Sequence, residues 1–350
     1  MKKVGRIIKI SLLSIFGLIF LTLIISSIIL YGSVSSMMSI KKKGDNLYTM
    51  NYKKNYHLDK ALKANIKNTD ELFKFICDEM FFGYQIDINT SRYACSAFTT
   101  TTPDGNHIVG RNFDLPGSTT LSVYTNPKKG YSSVSTVLAD TIGVDGYDIE
   151  ATSLKGRILL LAAPYLAVDG MNEKGLSASL LDMDNIGETH MYSDKPDLIV
   201  TMAVRLLLDK AANVDEAISL LEKYDIHSAH GETQHIFLSD ASGSYAIVEW
   251  YKNKMYVVKY PVCTNFRLSN PNLDGDYSGQ CGRFDILDNS LKEKSTNSID
   301  ESFKMLESVK QDGKGSHTIW SVIFNLNDFT VDYVVNMDYD NSYHLNPKKY

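Results

Sequence analysis

Residues 93–114, "YACSAFTTTTPDGNHIVGRNFD", contain the feature that decides the fold. Two runs with strand-like composition flank the Asp-Gly dipeptide at 104–105, which favours a tight two-residue β-hairpin. Such a turn would place Cys95 opposite Asp114 across the two strands. Because side chains alternate between the faces of a strand, Arg111 is then predicted on the other face from Asp114. A bulge or a longer loop must intervene if both side chains serve Cys95.

Cys95 is a candidate nucleophile, because a thiolate beside a guanidinium is stabilised and its pKa is lowered. None of the eight histidines lies in a local pattern that marks it as the catalytic base. The α-amine of Cys95 would supply a base if the Ala94–Cys95 bond were cut, since its pKa of about 7.7–8.0 suits proton transfer at neutral pH. Asp114 would then orient that amine. The competing interpretation is a buried strand cysteine beside a salt bridge.

Residues 10–31, "ISLLSIFGLIFLTLIISSIILY", form an uncharged run of 22 positions, long enough to cross a bilayer. We interpret the run as a single-pass cell-membrane anchor in preference to a cleaved signal peptide. Four basic residues before it (Lys2, Lys3, Arg6 and Lys9) favour a cytoplasmic N-terminus, although three lysines at 41–43 oppose this orientation. The body of the protein is therefore expected to be extracellular.

The charge balance excludes a nucleic-acid partner. Residues 1–43 hold seven of the 36 basic residues and no Asp or Glu, which leaves 29 basic against 41 acidic residues in the remainder, a net charge of about −12. Phosphate backbones require a basic surface.

Four cysteines are too few for a disulfide scaffold, and no histidine spacing is typical of a metal site. No metal and no organic cofactor are expected.

The remaining patterns predict an α+β layered fold. Residues 41–68 are interpreted as a polar linker or short helix, and Asn68 to Gly83 as an amphipathic helix capped by Asn68. Further helices are predicted at 197–211, 214–224 and 298–310, the last with a capping box from Ser298 to Glu301. Predicted strands are 95–102, 107–113, 120–126, 158–163, 176–182, 234–239, 244–250, 254–259, 317–325 and 329–335.

The hairpin is one of several spaced motifs that resemble the choloylglycine hydrolase and penicillin V acylase family of linear amide C–N hydrolases. Arg111 and Asp114, in "GRNFD", follow Cys95 by sixteen and nineteen residues. The resemblance continues through "GMNEKGLSASLLDMD" (170–184), "FLSDASGSYAIVEW" (237–250), "VCTNF" (262–266) and "CGRFD" (281–285). It implies an N-terminal nucleophile hydrolase with a four-layer αββα sandwich over residues 95–350.

The resemblance also implies roles for individual residues. Cys95 would be nucleophile and, through its freed amine, base; Arg111 would lie against the thiolate and Asp114 would bond the amine. Asn265 would donate its side-chain amide to the oxyanion, and Arg283 matches a late arginine near the nucleophile. Cys263 and Cys281 flank these two residues; they are expected to be buried thiols, with a disulfide as the alternative.

Two departures from the family pattern concern the substrate and the leader. Asp182 stands where bile salt hydrolases carry Asn and penicillin V acylases an aromatic residue. Its carboxylate would disfavour an anionic group nearby, while its backbone N–H could still donate to the oxyanion.

The chain is predicted to comprise an anchor at 1–40, a linker and leader helix at 41–94 that act as a propeptide, and the hydrolase domain at 95–350. Cleavage at Ala94–Cys95, by Cys95 itself or by another protease, would release the nucleophile.

The motifs are compatible with three functions. The first is hydrolysis of a small-molecule linear amide through a thioester acyl-enzyme. The second is acyl transfer on the same scaffold, with an amine replacing water. The third is an unprocessed, membrane-anchored binding protein. A homo-oligomer is compatible with each of them.

Overall fold

The computed structural model describes residues 14–18, 20–22, 30–86, 94–183, 189, 191–229, 231–313 and 316–350. The predicted membrane segment at 10–31 falls largely outside these residues. Among the helices that the structure does describe, none combines the length and the apolar character needed to cross a bilayer.

Two large β-sheets form the centre of the molecule. The strands are β1 (Lys41–Gly44), β2 (Leu47–Tyr52), β3 (Ala94–Thr101), β4 (His107–Leu115), β5 (Thr120–Thr125), β6 (Ser133–Leu138), β7 (Asp169–Asn172), β8 (Ser177–Asp182), β9 (Asp197–Ile199), β10 (Asp225–His227), β11 (Gln234–Ser239), β12 (Tyr245–Tyr251), β13 (Lys254–Val258), β14 (Val262–Cys263), β15 (Asp312–Gly313), β16 (Ser316–Asn325), β17 (Thr330–Val335) and β18 (Tyr343–Leu345). The first sheet has nine strands in the order β1-β2-β5-β6-β7-β8-β11-β12-β13. The second has the order β14-β3-β4-β16-β17-β18, with β15 beside β16, and β9 pairs separately with β10.

Helices cover both sheets. They are α1 (Leu58–Lys63), α2 (Thr69–Met80), α3 (Leu154–Leu159), α4 (Val200–Lys210), α5 (Val214–Leu221), α6 (Gly282–Glu293) and α7 (Ile299–Ser308), and residues 30–39 are also helical. Helix α4 packs on β7 and β8 of the nine-stranded sheet, whereas α6 and α7 pack on β3, β4, β14 and β16 of the other. Strand β3 meets β8 between the sheets. The predicted α+β layered fold is confirmed.

The β3–β4 hairpin has a longer loop than the sequence predicts. The Thr102 N–H donates to the Asn106 carbonyl, and the Gly105 N–H donates back to the Thr102 carbonyl, so three residues at 103–105 make the turn. Gly105 has φ of +93°, a left-handed conformation that glycine adopts without strain. The prediction of a two-residue turn was therefore wrong by one residue.

This extra loop residue changes which side chains share a face. In the observed register Cys95 lies opposite Phe113, and Ala97 lies opposite Arg111. Directly opposed residues point to the same face of a sheet, so Arg111 is on the face of Cys95 without any bulge. Asp114 lies opposite Ala94 and belongs to the other face, at the edge next to the Cys95 backbone.

Helix α2 begins and ends close to where its sequence predicts. The Asn68 side chain accepts from the Glu71 N–H and caps the helix, and its apolar face buries Leu72, Ile76 and Met80. The chain leaves the helix after Phe81, and Gly83 has φ of +83°.

The segment predicted as a linker is part of the first sheet. Strand β2 pairs in parallel with β5 over the whole of Leu47–Tyr52, and five of these six side chains are buried. The Lys-, Asn- and Tyr-rich composition suggested a solvated linker, but "LYTMNY" has the aromatic and β-branched content that suits a strand. Helix α1 follows it and confirms the alternative of a short helix.

One predicted strand was wrong. Residues 158–163 belong to the end of α3 and to a 3₁₀ helix, Leu160–Leu166, with every residue of the latter buried. A fully buried apolar run has no polar face, so periodicity cannot separate a helix from a strand there.

Candidate active site

Cys95 is held by the guanidinium of Arg111. The Arg111 Nη2 donates to the Cys95 Sγ over 3.3 Å, and both side chains are fully buried. Strand pairing between β3 and β4 produces this contact, since it brings both side chains to the face between the two sheets. The sequence identified both residues but could not place them on one face.

Arg111 is fixed by three further acceptors on the opposite sheet. Its Nη1 donates over 2.7 Å to the carbonyl of Val168 and over 2.7 Å to Asp169 Oδ2, while Nη2 also donates to the Leu180 carbonyl. Asp169 in turn accepts from the indole N–H of Trp320 at 3.3 Å. A buried charge needs such partners, so Asp169 and Trp320 are site residues that sequence reasoning missed.

The Cys95 thiol is not ionised in the continuous chain. Burial raises its pKa to about 11, although Arg111 acts in the opposite direction. The sequence predicted a lowered pKa from the guanidinium alone; desolvation of the fully buried sulfur outweighs that attraction. A base must therefore take the thiol proton before the sulfur can attack.

The backbone nitrogen of Cys95 faces Asn265. The Cys95 N–H donates to Asn265 Oδ1 over 2.9 Å, and Arg283 Nη2 donates to the same oxygen over 2.7 Å. Asn265 Nδ2 donates to the Asp182 carbonyl over 2.7 Å. Two donors to Oδ1 and one acceptor for Nδ2 fix the orientation of the amide.

Arg283 connects this amide to Asp114. Its Nη1 donates over 3.0 Å to Asp114 Oδ2 and over 3.0 Å to the carbonyl oxygen of Cys95. Asp114 Oδ1 accepts from the Thr318 hydroxyl at 2.6 Å. Burial raises the pKa of Asp114 to about 6, with the Thr318 hydrogen bond and Arg283 opposing the shift.

Asp182 closes the site on the first sheet. The residue is 4% exposed, and its carboxylate accepts from Gln234 Nε2 at 2.9 Å. The structure thus brings together all six residues that the sequence singled out: Cys95, Arg111, Asp114, Asp182, Asn265 and Arg283.

A second buried thiol lies one strand away. Cys263 lies in β14, opposite Ala97 of β3. Its Sγ is 3.4 Å from His235 Nε2, and His235 Nδ1 is 3.1 Å from Glu249 Oε1. All three side chains are fully buried, and burial raises the pKa of Cys263 well above its ordinary value. Nothing in the local sequence marks His235, because its partners come from other strands. Cys263 and Cys281 are both free thiols, and Cys281 is partly exposed.

Glu249, next to His235, also binds backbone N–H groups of a loop. It accepts from the N–H groups of Leu268 and Ser269, at 2.9 and 2.8 Å. The pKa of Glu249 is lowered: burial acts upward, but hydrogen bonds from His235 and Ser269 outweigh it. The carboxylate therefore anchors the loop that carries Asn265.

The described residues contain one group with metal-ligand chemistry, away from Cys95: Asp197, Asp225 and His227 have ligand atoms within 4.8 Å of one another. Asp197 already pairs with His227 at 2.8 Å and with Lys67 at 3.3 Å. The Asp225 carboxylate accepts backbone N–H groups from Met191 and Ser193. These contacts satisfy the carboxylates without a metal.

Comparison with known proteins agrees with this geometry. Residues 95–277 match the family described as linear amide C–N hydrolases, choloylglycine hydrolase family. The chain belongs to this family. Arg283 lies just beyond the matched range.

Individual relatives are similar over part of the chain. Penicillin V acylase from Pectobacterium atrosepticum is 28% identical over 220 residues, which are 57% of this chain and 56% of the acylase. The chain therefore spans little more than half the length of this curated relative. Two crystal structures of variants of the conjugated bile acid hydrolase from Clostridium perfringens have TM-scores of 0.56 and 0.57, with 18% and 19% identity, over 73% of this chain and 93% of theirs. They show that this chain shares its α+β fold with those hydrolases.

Proposed function

We propose that this chain is an amidohydrolase whose nucleophile is Cys95 at the N-terminus of a processed chain. One observation carries the proposal: the sulfur and the nitrogen of the same residue are each held by a side chain, Arg111 at 3.3 Å and Asn265 at 2.9 Å. A structural strand cysteine would need an acceptor for its buried N–H, but it would not need a guanidinium against its sulfur. A residue that acts as nucleophile and base at once needs both of its atoms positioned.

Processing would convert the site from inert to reactive. In the continuous chain Cys95 is fully buried, and its pKa of about 11 keeps the thiol protonated. Cleavage of the Ala94–Cys95 bond turns the amide nitrogen, which cannot accept a proton, into an amine with a pKa near 8. The amine then takes the thiol proton.

In the reaction, the thiolate attacks the carbonyl carbon of the substrate amide. The α-ammonium group of Cys95 then gives a proton to the substrate's nitrogen, which leaves as an amine. Water hydrolyses the resulting thioester. The Asn265 side-chain amide would donate to the oxyanion of each tetrahedral intermediate, with the Asp182 backbone N–H as second donor. The resemblance implied that Asp114 bonds the Cys95 nitrogen, but that nitrogen contacts Asn265 Oδ1. Asp114 acts one step away: it holds Arg283, which bonds the Cys95 carbonyl oxygen and Asn265 Oδ1.

Self-cleavage would begin before any α-amine exists. Sγ adds to the Ala94 carbonyl, and the Cys95 nitrogen, no longer an amide in the tetrahedral intermediate, takes the thiol proton as the C–N bond breaks. Water then hydrolyses the Ala94 thioester. Intact-mass measurement of purified protein, beside a Cys95→Ala variant, tests this step. We expect the wild type to yield a chain that begins at Cys95 and the variant to stay intact. A fully active wild-type chain that begins before Cys95 would overturn the mechanism.

The substrate class is tested with a panel of amides. N-acyl amino acids, conjugated bile acids, penicillin V and acyl lactones are the candidates, the middle two suggested by the names of the relatives. We expect hydrolysis of at least one by processed wild-type protein and none by Cys95→Ser. Product analysis with added amine distinguishes acyl transfer, and full retention of a biochemical activity by Cys95→Ala would favour a binding protein.

We also propose that residues 10–31 anchor the protein in the cell membrane with the body outside. In support, five described apolar side chains in this run are more than half exposed: Ile15, Phe16, Leu18, Phe20 and Leu21. An exposed apolar helix of this kind is stable in lipid. Retention in membranes after carbonate extraction, and digestion of the body by protease added to intact cells, are the expected results; release by carbonate would contradict the anchor.

A further inference from the structure

A large basic cavity lies away from Cys95, at the opposite end of the first sheet. Its volume is about 600 Å³, and its walls come from residues 52–60, 126–129 and 209–210. Tyr52 and Asn126 mark the ends of β2 and β5, whereas Asn265 bonds the far end of β8 at Asp182. The cavity shares no residue with the candidate active site.

Lysines dominate the walls of this cavity. Six of them come from three separate segments: Lys53, Lys54, Lys60, Lys128, Lys129 and Lys210. The lining carboxylates, Asp59 and Asp209, are both occupied, the first by Lys210 at 3.9 Å and the second by the buried Arg205 at 2.7 Å.

Four of the six lysines face the cavity without an acidic partner. Among the described residues no carboxylate lies within ion-pair distance of Lys53, Lys54, Lys128 or Lys129, whereas Lys60 pairs with Glu79. Lys54 is half-buried, and that burial lowers its pKa against the opposing, more distant charge of Glu79. Lys53, Lys128 and Lys129 are exposed, so the lysines place several like charges around one concave surface, and a bound anion would offset their mutual repulsion. Their concentration also contrasts with the acidic balance of the rest of the body.

Buried side chains contact one another behind the lysines. The Tyr56 hydroxyl donates to Asp209 over 2.6 Å, and the Arg205 guanidinium lies 5.6 Å from the centre of the Tyr56 ring. The ion pair with Arg205 offsets the charge of Asp209, and the Tyr56 hydroxyl occupies its other oxygen, so its repulsion of an anion in the cavity is reduced.

We propose that this cavity binds a phosphate-bearing ligand. Lysine ammonium groups are common phosphate binders, and several of them suit a group with more than one charged oxygen. The volume exceeds what an inorganic phosphate needs and accommodates a phosphate ester. The walls include residues on both sides of Cys95 in the sequence, so the ligand would bridge the leader and the hydrolase domain.

The helix at 30–39 indicates a source for such a ligand. Its Ser36 hydroxyl accepts from the N–H groups of Lys53 and Lys54, at 2.7 and 3.2 Å. This helix directly follows the proposed anchor, so the cavity opens close to where lipid headgroups would lie. Basic residues next to a membrane segment attract anionic phospholipids. A soluble phosphate ester has the same chemistry.

Calorimetric titration of the full-length chain in neutral detergent tests the proposal. The probes are glycerol 3-phosphate, dihexanoyl phosphatidylglycerol, dihexanoyl phosphatidylcholine and succinate. We expect saturable binding of one phosphate monoester or anionic diester per chain, weakened by added salt. Tighter binding of dihexanoyl phosphatidylglycerol than of glycerol 3-phosphate identifies a lipid headgroup, and the reverse order identifies a soluble ester.

A matched pair of triple variants locates the site. Lys54→Gln, Lys128→Gln and Lys129→Gln together should weaken binding about tenfold or more, because each lysine near a phosphate contributes to affinity. The control variant removes the same number of positive charges from the exposed region around β13. Lys252→Gln, Lys254→Gln and Lys259→Gln together should leave the affinity for the phosphate ligand within about twofold. No saturable phosphate binding, equal binding of succinate, or equal weakening in both triples would overturn the proposal.

Discussion

Arg111 and Cys95 form a buried donor–acceptor pair, with Nη2 3.3 Å from Sγ, and Arg111 reaches across to the other sheet through Asp169. The same guanidinium thus positions the sulfur and ties together the two sheets that enclose it. Its planar fork of donors is what allows one side chain to serve several acceptors.

Arg111→Lys should impair catalysis more than folding. A lysine ammonium cannot span Cys95, Leu180, Val168 and Asp169 together, so kcat/KM of the processed enzyme should fall about 10- to 100-fold, the effect of losing one hydrogen bond to a charged group. Steady-state kinetics on the best amide of the panel measures the change. Arg157→Lys is the control, because Arg157 bonds backbone carbonyls far from Cys95. Equal activity of both variants would show that Arg111 is only structural.

Asp114 should make stability depend on pH. Its pKa in the folded chain is about 6, above the ordinary value of 3.8, so the folded state holds this proton more tightly. The stabilisation from protonation is complete below about pH 4 and is lost as pH rises through 6.

Asp114→Asn removes that dependence. In a Cys95→Ala background, which prevents cleavage, the unfolding free energy of the Asp114→Asn variant should gain on its parent between pH 4 and 7, by up to about 3 kcal/mol. Urea denaturation at one-unit pH intervals gives the comparison. Parallel curves for the two chains would contradict the raised pKa.

Glu249 should act on catalysis through Asn265. Glu249→Gln keeps one acceptor oxygen but loses the charge that holds His235 and the two N–H groups of the loop that carries Asn265. Because that loop should loosen, kcat should fall about tenfold, and the free energy of unfolding should fall by about 1–3 kcal/mol. Glu307→Gln is the control, because Glu307 makes an exposed pair with Lys310. A stability loss with kcat and KM unchanged would mean that the loop does not position Asn265.

The leader should stay bound after cleavage. Strand β2 pairs with β5 throughout its length, and leader side chains such as Met50, Tyr56 and Ile76 belong to one hydrophobic core with β5 and α4. Processed protein should therefore elute from a sizing column as one particle that contains both fragments. Separation should require denaturant; dissociation in native buffer would contradict this prediction.

The sequence predicts local features of this molecule well and distant contacts poorly. The capping box at Ser298 and the cap at Asn68 were predictable because their bonds join residues three apart. The hairpin register was not, because an Asp-Gly pair suits loops of two or three residues, and one residue decides the face of Arg111. The roles of Asp169 and His235 depend on the order of strands in each sheet, which periodicity does not encode.

The position of β2 inside the first sheet has a kinetic consequence. The continuous chain refolds in a first-order process, whereas two fragments must meet, so recovery from unfolding would depend on protein concentration. A processed molecule that lost its leader strand in dilute solution would rarely regain it. Its working lifetime would then be set by the rate of unfolding and not by an equilibrium.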